Sequence, residues 1–234
     1  MPYRKISAII LAGGVGSRMM CEKTKQQIEI LGKTVLERTL IAFDSSKLVN
    51  NIIVVARAEE MEQTRKTVHS VLNKPTEVVL GGQSRAESAE CGFSAIDEDV
   101  DFVAIHDCAR CLITPEMIDS VVLKAIDTGA ATAVCGVSDT VKRVNSEGFI
   151  VETLPRDNIF RAQTPQVFST DVYRRALEHA KENIAEITDD NMMVEAIGGR
   201  VYCVDLGQDN IKITTKSDLL LAEAILIRRG ERHV

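Results

Sequence analysis

Short apolar runs rich in β-branched residues alternate with amphipathic helical patterns along the chain, and this alternation constrains the fold more than any other feature. The runs predict strands at 6–11, 52–56, 77–80, 102–105, 132–137 and 201–205. The helical patterns lie at 34–44, 59–72, 85–96, 115–128, 171–183, 189–197 and 216–229. Runs that are apolar without alternation, as at 52–55, are typical of strands covered on both faces. The sequence therefore predicts an α/β fold with a mostly parallel, open twisted sheet.

The segment from about 138 to 168 interrupts this alternation. It contains Gly148, Pro155 and Pro165 and two short alternating stretches, and it is long for a plain loop inside a compact domain. We predict a β-hairpin arm that protrudes from the sheet and could reach another subunit. No linker or repeat divides the chain, so residues 1–234 are predicted to form a single domain.

Composition excludes several classes of protein. The 234 residues carry 28 Lys and Arg against 34 Asp and Glu, a formal net charge of −6, which argues against a general nucleic-acid binder. No apolar run approaches the roughly 20 residues that span a bilayer. Six scattered cysteines predict reduced thiols and a cytoplasmic location.

A glycine-rich loop follows the first predicted strand, with the sequence LAGGVGSRM at 11–19. Glycines let backbone N–H groups approach a phosphate chain. The P-loop pattern is absent, and Met19 stands where a dinucleotide site needs its third glycine. Arg18 and Lys25 supply the cations that phosphoryl transfer requires. A surface loop with solvated charges is the alternative interpretation.

Two further segments are predicted to end at the same edge of the sheet. The first is GGQSR at 81–85, followed by Ser88, where a double glycine allows close approach to a flat or anionic ligand. A simple turn into a helix would explain it equally well. The second is HDCAR at 106–110, in which Asp107 suits a ribose hydroxyl or a phosphate-bound Mg²⁺.

Cys108 and Cys111 form a C-x-x-C pair that raises a redox or zinc alternative. No second cysteine pair completes a zinc site, and the next helix is predicted to start near Pro115 rather than at the first cysteine. His106 is predicted to be a structural, hydrogen-bonding residue.

Four polar groups in the second half of the chain are weak signals one by one. Thr188 could be only a helix N-cap, and Lys212 could be only a solvated charge at the end of a strand. The four are Pro155-Arg156, Thr164-Pro165-Gln166, Thr188-Asp189-Asp190 and the NIKIT motif at 210–214.

Taken in order, these segments resemble the 2-C-methyl-D-erythritol 4-phosphate cytidylyltransferase family over residues 8–225. The resemblance rests on LAGGVGSRM (11–19), TKQ (24–26), GGQSRAES (81–88), HDCAR (106–110), DTVKR (139–143), AQTPQVF (162–168), ITDD (187–190) and NIKIT (210–214). It implies a Rossmann-like nucleotidyltransferase fold. It also implies that CTP and methylerythritol phosphate react to give the CDP-linked alcohol and pyrophosphate, in the non-mevalonate isoprenoid pathway.

The resemblance also assigns roles to individual residues. It implies that Arg18 and Lys25 stabilise the pentacoordinate state at the α-phosphate, and that Arg156 and Lys212 position the acceptor phosphate. The residues that would line the cytosine and ribose pocket are Ala12, Gly13, Gly14, Gly82, Ser88 and Asp107. The residues that would hold the acceptor are Thr140, Thr164 and Thr188, with Asp107 and Arg110 nearby.

The family further implies a homodimer, in which the arm carries Thr140 and Arg156 into the partner's active site. Mg²⁺, with Asp107 as its candidate ligand, would offset the repulsion between two polyanionic substrates. No strong general base is needed, because the acceptor phosphate is already a nucleophile at neutral pH.

This sequence departs from the family pattern at three points. Ala12-Gly13-Gly14 is a form also seen in ribitol-5-phosphate cytidylyltransferases, so ribitol 5-phosphate is an alternative acceptor. Cys108 and Cys111 replace an alanine and a proline, and Gln83 replaces a residue that is variable in the family. A non-catalytic nucleotide-binding module and a nicotinamide-dependent oxidoreductase are alternatives from other classes, the latter disfavoured by the missing third glycine.

Overall fold

The computed structural model describes residues 3–14, 24–181 and 187–232. These residues form a central sheet of seven strands, which are β1 (Ile6–Leu11), β4 (Asn51–Ala56), β5 (Thr76–Leu80), β6 (Phe102–Asp107), β7 (Ala130–Gly136), β10 (Phe160–Ser169) and β11 (Tyr202–Asp205). They lie in the order β11-β7-β10-β6-β1-β4-β5. Two small hairpins pair β2 (Glu29–Ile30) with β3 (Lys33–Thr34) and β8 (Val141–Val144) with β9 (Ile150–Leu154).

Helices cover both faces of the sheet. They are α1 (Val35–Ser45), α2 (Met61–Val71), α3 (Arg85–Phe93), α4 (Pro115–Thr128), α5 (Thr170–Ala180), α6 (Asp190–Ala196) and α7 (Lys216–Arg228). Within β1, Ala8 and Ile10 belong to the core cluster that contains α1 and α4, whereas Ile9 belongs to the cluster that contains α3 and α5. Because successive strand residues face opposite sides and both sides are covered, the strand is apolar at every position except Ser7. The predicted α/β fold with a mostly parallel sheet is confirmed.

The helix starts follow from local capping chemistry. Ser84 accepts a hydrogen bond from the Glu87 amide at the start of α3, and the Glu87 carboxylate accepts one from the Ser84 amide in return. Thr114 caps α4 directly before Pro115. Such caps contribute about 1 kcal/mol each, and they place both helix starts where the sequence predicts them.

Strand β10 is the element that the sequence pattern did not reveal. It runs antiparallel to both β6 and β7 and lies between them in the middle of the sheet. Its buried side chains include Gln163, Thr164 and Gln166, and a register shift lies between Ala162 and Gln166, next to Pro165. Proline and polar residues normally argue against a central strand, so the sequence placed this segment in the arm.

The hairpin that does leave the sheet is accordingly shorter than the predicted 138–168. It consists of β8 and β9, which pair only with each other among the described residues. Its exposed apolar side chains are Val144, Phe149, Ile150 and Val151. None of the helices in the described part of the chain is long and apolar enough to cross a bilayer.

Candidate active site

A cleft of about 260 Å³ opens at the carboxyl ends of β1 and β6. The chain proceeds from β1 to β4 and β5 on one side and returns to β6 on the other, so the cleft lies where the strand order reverses. Open α/β sheets bind their ligands at this point. The lining residues are Leu11, Gly13, Gly14, Lys25, Gln26, Val35, Gly82, Gln83, Ser84, Arg85, Ser88, Asp107, Ala109 and Lys212.

The glycine loop begins at the first side of the cleft. The Ala12 amide donates to the Val55 carbonyl at 2.8 Å, which extends the β1–β4 pairing by one residue. The Gln26 amide nitrogen donates to the carbonyl oxygens of Ala12 and Gly14, the latter at 3.2 Å. Lys25 lines the cleft as predicted, whereas Arg18 lies outside the described residues.

Gln26 belongs to the TKQ motif at 24–26, which assigned it no role, and the structure shows that it positions the glycine loop. Its side chain is buried, and it fastens the glycine loop to the short helical turn that carries Lys25. A buried glutamine in a polar segment gives no periodic signal, so only the structure reveals its contacts.

The second glycine turn closes the opposite side. A Cβ on Gly82 would lie only 2.4 Å from the Cβ of Glu87, so the turn requires glycine. The Glu87 carboxylate accepts hydrogen bonds from the amides of Gln83 at 2.6 Å and Ser84 at 3.1 Å. Ser88 lines the cleft, and its hydroxyl donates to the Ser84 carbonyl at 2.8 Å.

Asp107 is the carboxylate of the cleft lining, and two cations hold it. Its Oδ1 accepts from Arg85 Nε at 3.0 Å, and its Oδ2 accepts from Lys212 Nζ at 2.6 Å. Burial by itself would raise the pKa of Asp107, but the charges of Arg85 and Lys212 outweigh it and hold the pKa well below its usual range. Asp107 is therefore ionised at neutral pH, and it brings Lys212 to the cleft from the far end of the chain.

Arg85 also contacts a second carboxylate, that of Asp190, which belongs to a sequence motif but had no role assigned to it. Its Nη1 donates to Asp190 Oδ2 at 2.7 Å, and the Tyr173 hydroxyl donates to Asp190 Oδ1 at 2.7 Å. The Asp190 side chain is fully buried. Burial and the neighbouring Asp190 raise the pKa of Tyr173 well above its ordinary value, so Tyr173 remains a donor.

His106 is structural, as predicted. The Thr164 hydroxyl accepts from the Asp107 amide at 3.0 Å, which leaves its own hydrogen to donate to His106 Nδ1 at 3.0 Å. Burial lowers the pKa of His106 to about 3, so the ring is neutral. Thr164 is thus buried between His106 and Asp107 at the back of the cleft floor.

Arg110 joins this floor to the segment that leads to Lys212. Its Nη1 donates to the Asn210 carbonyl at 3.0 Å and its Nη2 to the Ala162 carbonyl at 3.3 Å. Asn210 in turn donates to the Thr164 carbonyl at 2.9 Å. The structure therefore brings together the predicted residues Asp107, Arg110, Thr164 and Lys212.

Six described residues of the predicted site do not line this cleft in the single chain: Ala12, Arg110, Thr140, Arg156, Thr164 and Thr188. Thr140 and Arg156 are exposed at the base of the hairpin, where Arg156 Nη1 donates to the Ser138 carbonyl at 2.7 Å. Thr188 is exposed just before α6. The suggestion that Thr188 is a helix cap is wrong, because the Asp189 side chain accepts from the Met192 amide and caps α6 instead.

The environment of the cysteine pair does not favour a redox role. Cys108 and Cys111 are buried, and burial raises the pKa of both thiols, that of Cys111 to about 12. A redox thiol requires the opposite shift. Among the described residues, no group of three His, Cys, Asp or Glu side chains is placed to hold a metal ion.

The fold and the cleft define an α/β nucleotidyltransferase. The model of the 2-C-methyl-D-erythritol 4-phosphate cytidylyltransferase family matches residues 6–228. This chain belongs to that family, and the resemblance inferred from its motifs is confirmed.

Relatives in sequence and structure agree. The enzyme of that name from Alkaliphilus oremlandii is 37% identical over 229 residues, covering 97% of each chain. The one from Halalkalibacterium halodurans is 37% identical over 227 residues, covering 97% of this chain and 99% of its own. The crystal structure of 4-diphosphocytidyl-2C-methyl-D-erythritol synthase from Anaerococcus prevotii superposes with a TM-score of 0.87 at 29% identity, covering 96% of this chain and 97% of that one.

Proposed function

We propose that this chain transfers the cytidylyl group of CTP to 2-C-methyl-D-erythritol 4-phosphate and releases pyrophosphate, a step of non-mevalonate isoprenoid synthesis. One observation carries the proposal at the level of the site: Lys25 and Lys212 line the same cleft, which the Gly13-Gly14 loop and the Gly82 turn also border. Two anionic substrates must meet in such a reaction, and cations on the cleft lining offset their repulsion.

The transfer needs no side chain as general base. An oxygen of the acceptor phosphate attacks the α-phosphorus of CTP in line with the bond to the β-phosphate, which breaks as pyrophosphate leaves. Lys25, together with Arg18, stabilises the charge that builds on the α-phosphoryl oxygens. Asp107 is ion-paired and His106 is neutral and buried, so catalysis rests on positioning and electrostatics.

The nucleotide lies between the two glycine turns. The backbones of Ala12, Gly13 and Gly14 on one side and of Gly82 on the other allow close approach to the base and ribose. Ser88 and Asp107 supply polar atoms at the same cleft.

The acceptor lies toward Lys212, with Arg110 and Thr164 behind it. Thr188, which is exposed and does not line the cleft of the single chain, is the remaining residue proposed to contact the acceptor. Thr140 and Arg156 are exposed at the base of the hairpin and do not line their own cleft, which supports a homodimer in which each arm reaches the partner's site. The apolar side chains on the hairpin, such as Phe149 and Ile150, supply a surface for that contact.

The cleft fits Mg²⁺ through one carboxylate. Asp107 is ionised, and Mg²⁺ takes one or two carboxylates with substrate phosphate oxygens as its remaining ligands. When bound, the ion would offset the charge of the triphosphate. A reducing, cytoplasmic location is consistent with the described cysteines, which are free.

The test is pyrophosphate release from CTP and Mg²⁺ with methylerythritol phosphate and, in parallel, ribitol 5-phosphate. We expect a strong preference for methylerythritol phosphate. Preference for ribitol 5-phosphate would mean that the proposed acceptor is wrong, although the reaction would still be a cytidylyl transfer. Binding of CTP without pyrophosphate release from either acceptor would favour a nucleotide-binding module and overturn the proposal.

A further inference from the structure

Arg85 is a charged side chain in the cleft lining to which the sequence motifs assign no role. It is the first residue of α3, directly after the Gly82 turn, and its side chain is 23% exposed. Its two ion pairs, to Asp107 at 3.0 Å and to Asp190 at 2.7 Å, use different nitrogens of one guanidinium. Arg85 therefore connects the cleft floor to helix α6.

The Asp190 end of this connection is fixed. Asp190 is fully buried, and the Tyr173 hydroxyl occupies its second carboxylate oxygen. The Asp190 amide donates to Gln166 Oε1 at 2.9 Å, which ties α6 to strand β10. Removing the cation from a buried, hydrogen-bonded carboxylate is strongly unfavourable, so Arg85 stays in place.

The Lys212 end is the adjustable one. Its side chain is 41% exposed and reaches Asp107 through a flexible stem, with Nζ at 2.6 Å from Oδ2. To donate to an incoming phosphate, Lys212 must release or share Asp107. That exchange is easier when Asp107 keeps another cation on its Oδ1.

We propose that Arg85 is a positioning residue for the transfer reaction, which keeps Asp107 paired and thereby allows Lys212 to exchange Asp107 for the acceptor phosphate. The inference rests on the proposed function, in which Lys212 binds that phosphate. Arg85 itself makes and breaks no covalent bond. Without it, Asp107 retains Lys212 more strongly, and the acceptor has to compete for the ammonium group.

The experiment measures the effect of Arg85→Gln on pyrophosphate release in three backgrounds: the natural chain, Asp107→Asn and Asp190→Asn. In the natural chain we expect kcat/KM for methylerythritol phosphate to fall about 10- to 100-fold, with a change of less than about threefold in the KM for CTP. In the Asp107→Asn background the fall in kcat/KM caused by Arg85→Gln should shrink to less than about threefold, because Asp107 no longer carries a charge that Arg85 and Lys212 share. In the Asp190→Asn background it should persist.

The Asp190→Asn background also protects the test against misfolding. Arg85→Gln with Asp190→Asn places two neutral amides where the buried ion pair was, so no buried charge is left unpaired. Thermal unfolding of each variant checks that the fold is kept.

A purely structural role for Arg85 gives the reverse pattern. The fall in kcat/KM caused by Arg85→Gln would then persist in the Asp107→Asn background and vanish in the Asp190→Asn background, because only the ion pair with Asp190 on α6 would matter. This result would overturn the proposal. A cost that is equal in all three backgrounds would overturn it as well. A natural chain that releases no pyrophosphate with this acceptor would defeat the proposed function itself, which separates the two failures.

Discussion

The ion pairs of the cleft and those of the hairpin arm differ in how far they are buried. In the cleft, Asp107 is nearly buried and is held by Arg85 and Lys212, whereas the arm's ion pair between Arg143 and Glu152 is largely exposed. Buried pairs fix geometry, while exposed pairs contribute about 0–1 kcal/mol and are screened by salt. The cleft is therefore held together by buried ion pairs of its own chain, whereas the exposed ion pair of the arm contributes little to stability.

The largest expected effect concerns the cleft. Lys25→Ala should lower turnover by about a hundredfold or more, because a cation aimed at the developing charge is lost. The fold should persist, since Lys25 is only partly buried at the cleft. Steady-state pyrophosphate release measures the effect, with Lys66→Ala on the exposed face of α2 as the matched control. Near-normal turnover of the Lys25→Ala variant would show that Lys25 is not a catalytic residue.

The second prediction tests whether the arm completes a neighbouring cleft. Arg156→Ala and Lys25→Ala subunits, each poorly active alone, should recover about a quarter of natural activity when mixed equally, because half of the dimers then contain one intact site. The readout is turnover after subunit exchange, with mixed dimers detected by a tag on one variant. Mixed dimers no more active than either parent would show that Arg156 does not act across the interface.

The third prediction concerns the floor of the cleft and has a defined pH dependence. The pKa of His106 is about 3 in the folded chain because of burial, below its ordinary value, so the unfolded chain binds the proton first as the pH falls. Stability from this residue is present above about pH 6.5 and is lost progressively toward pH 3. Between pH 6.5 and 5, the free energy of unfolding should fall by about 1–2 kcal/mol more for the natural chain than for His106→Gln.

Urea unfolding at the two pH values measures that difference. His69→Gln is the control, because His69 is exposed on α2 and should leave the pH dependence as it is in the natural chain. Identical pH slopes for the natural chain and His106→Gln would mean that His106 is not held neutral.

The smallest expected effect belongs to the arm. Val151→Ser should change the free energy of unfolding of the isolated chain by less than about 0.5 kcal/mol, because Val151 is 55% exposed. The same change should weaken dimer formation, which sedimentation at a series of protein concentrations measures. A large loss of stability in dilute, monomeric protein would mean that the arm packs against its own chain.

The sequence predicted the regions where one periodicity dominates. A continuous apolar run predicted the strand at 6–11, and a capping residue predicted the start of the helix at 115–128. A charged residue at the end of a buried strand predicted that Asp107 belongs to the site. Strand β10 was not predicted because three of its buried side chains, Gln163, Thr164 and Gln166, are polar. They are satisfied by other polar groups, as Gln166 is by Asp189 and Asp190. The Arg85–Asp190 ion pair was not predicted either, because its members lie 105 residues apart in the sequence and are brought into contact only by the fold.

The placement of β10 also bears on the order in which the sheet can form during synthesis. Strands β1, β4, β5 and β6 are neighbours in space and leave the ribosome one after another, so their part of the sheet can assemble early. Strand β7 follows them in the chain, and its partners within the described part of the chain are β10 and β11, which are both made later. Until residues 160–169 emerge, β7 is an apolar strand with two open edges, which exposes the nascent chain to misassociation over that interval.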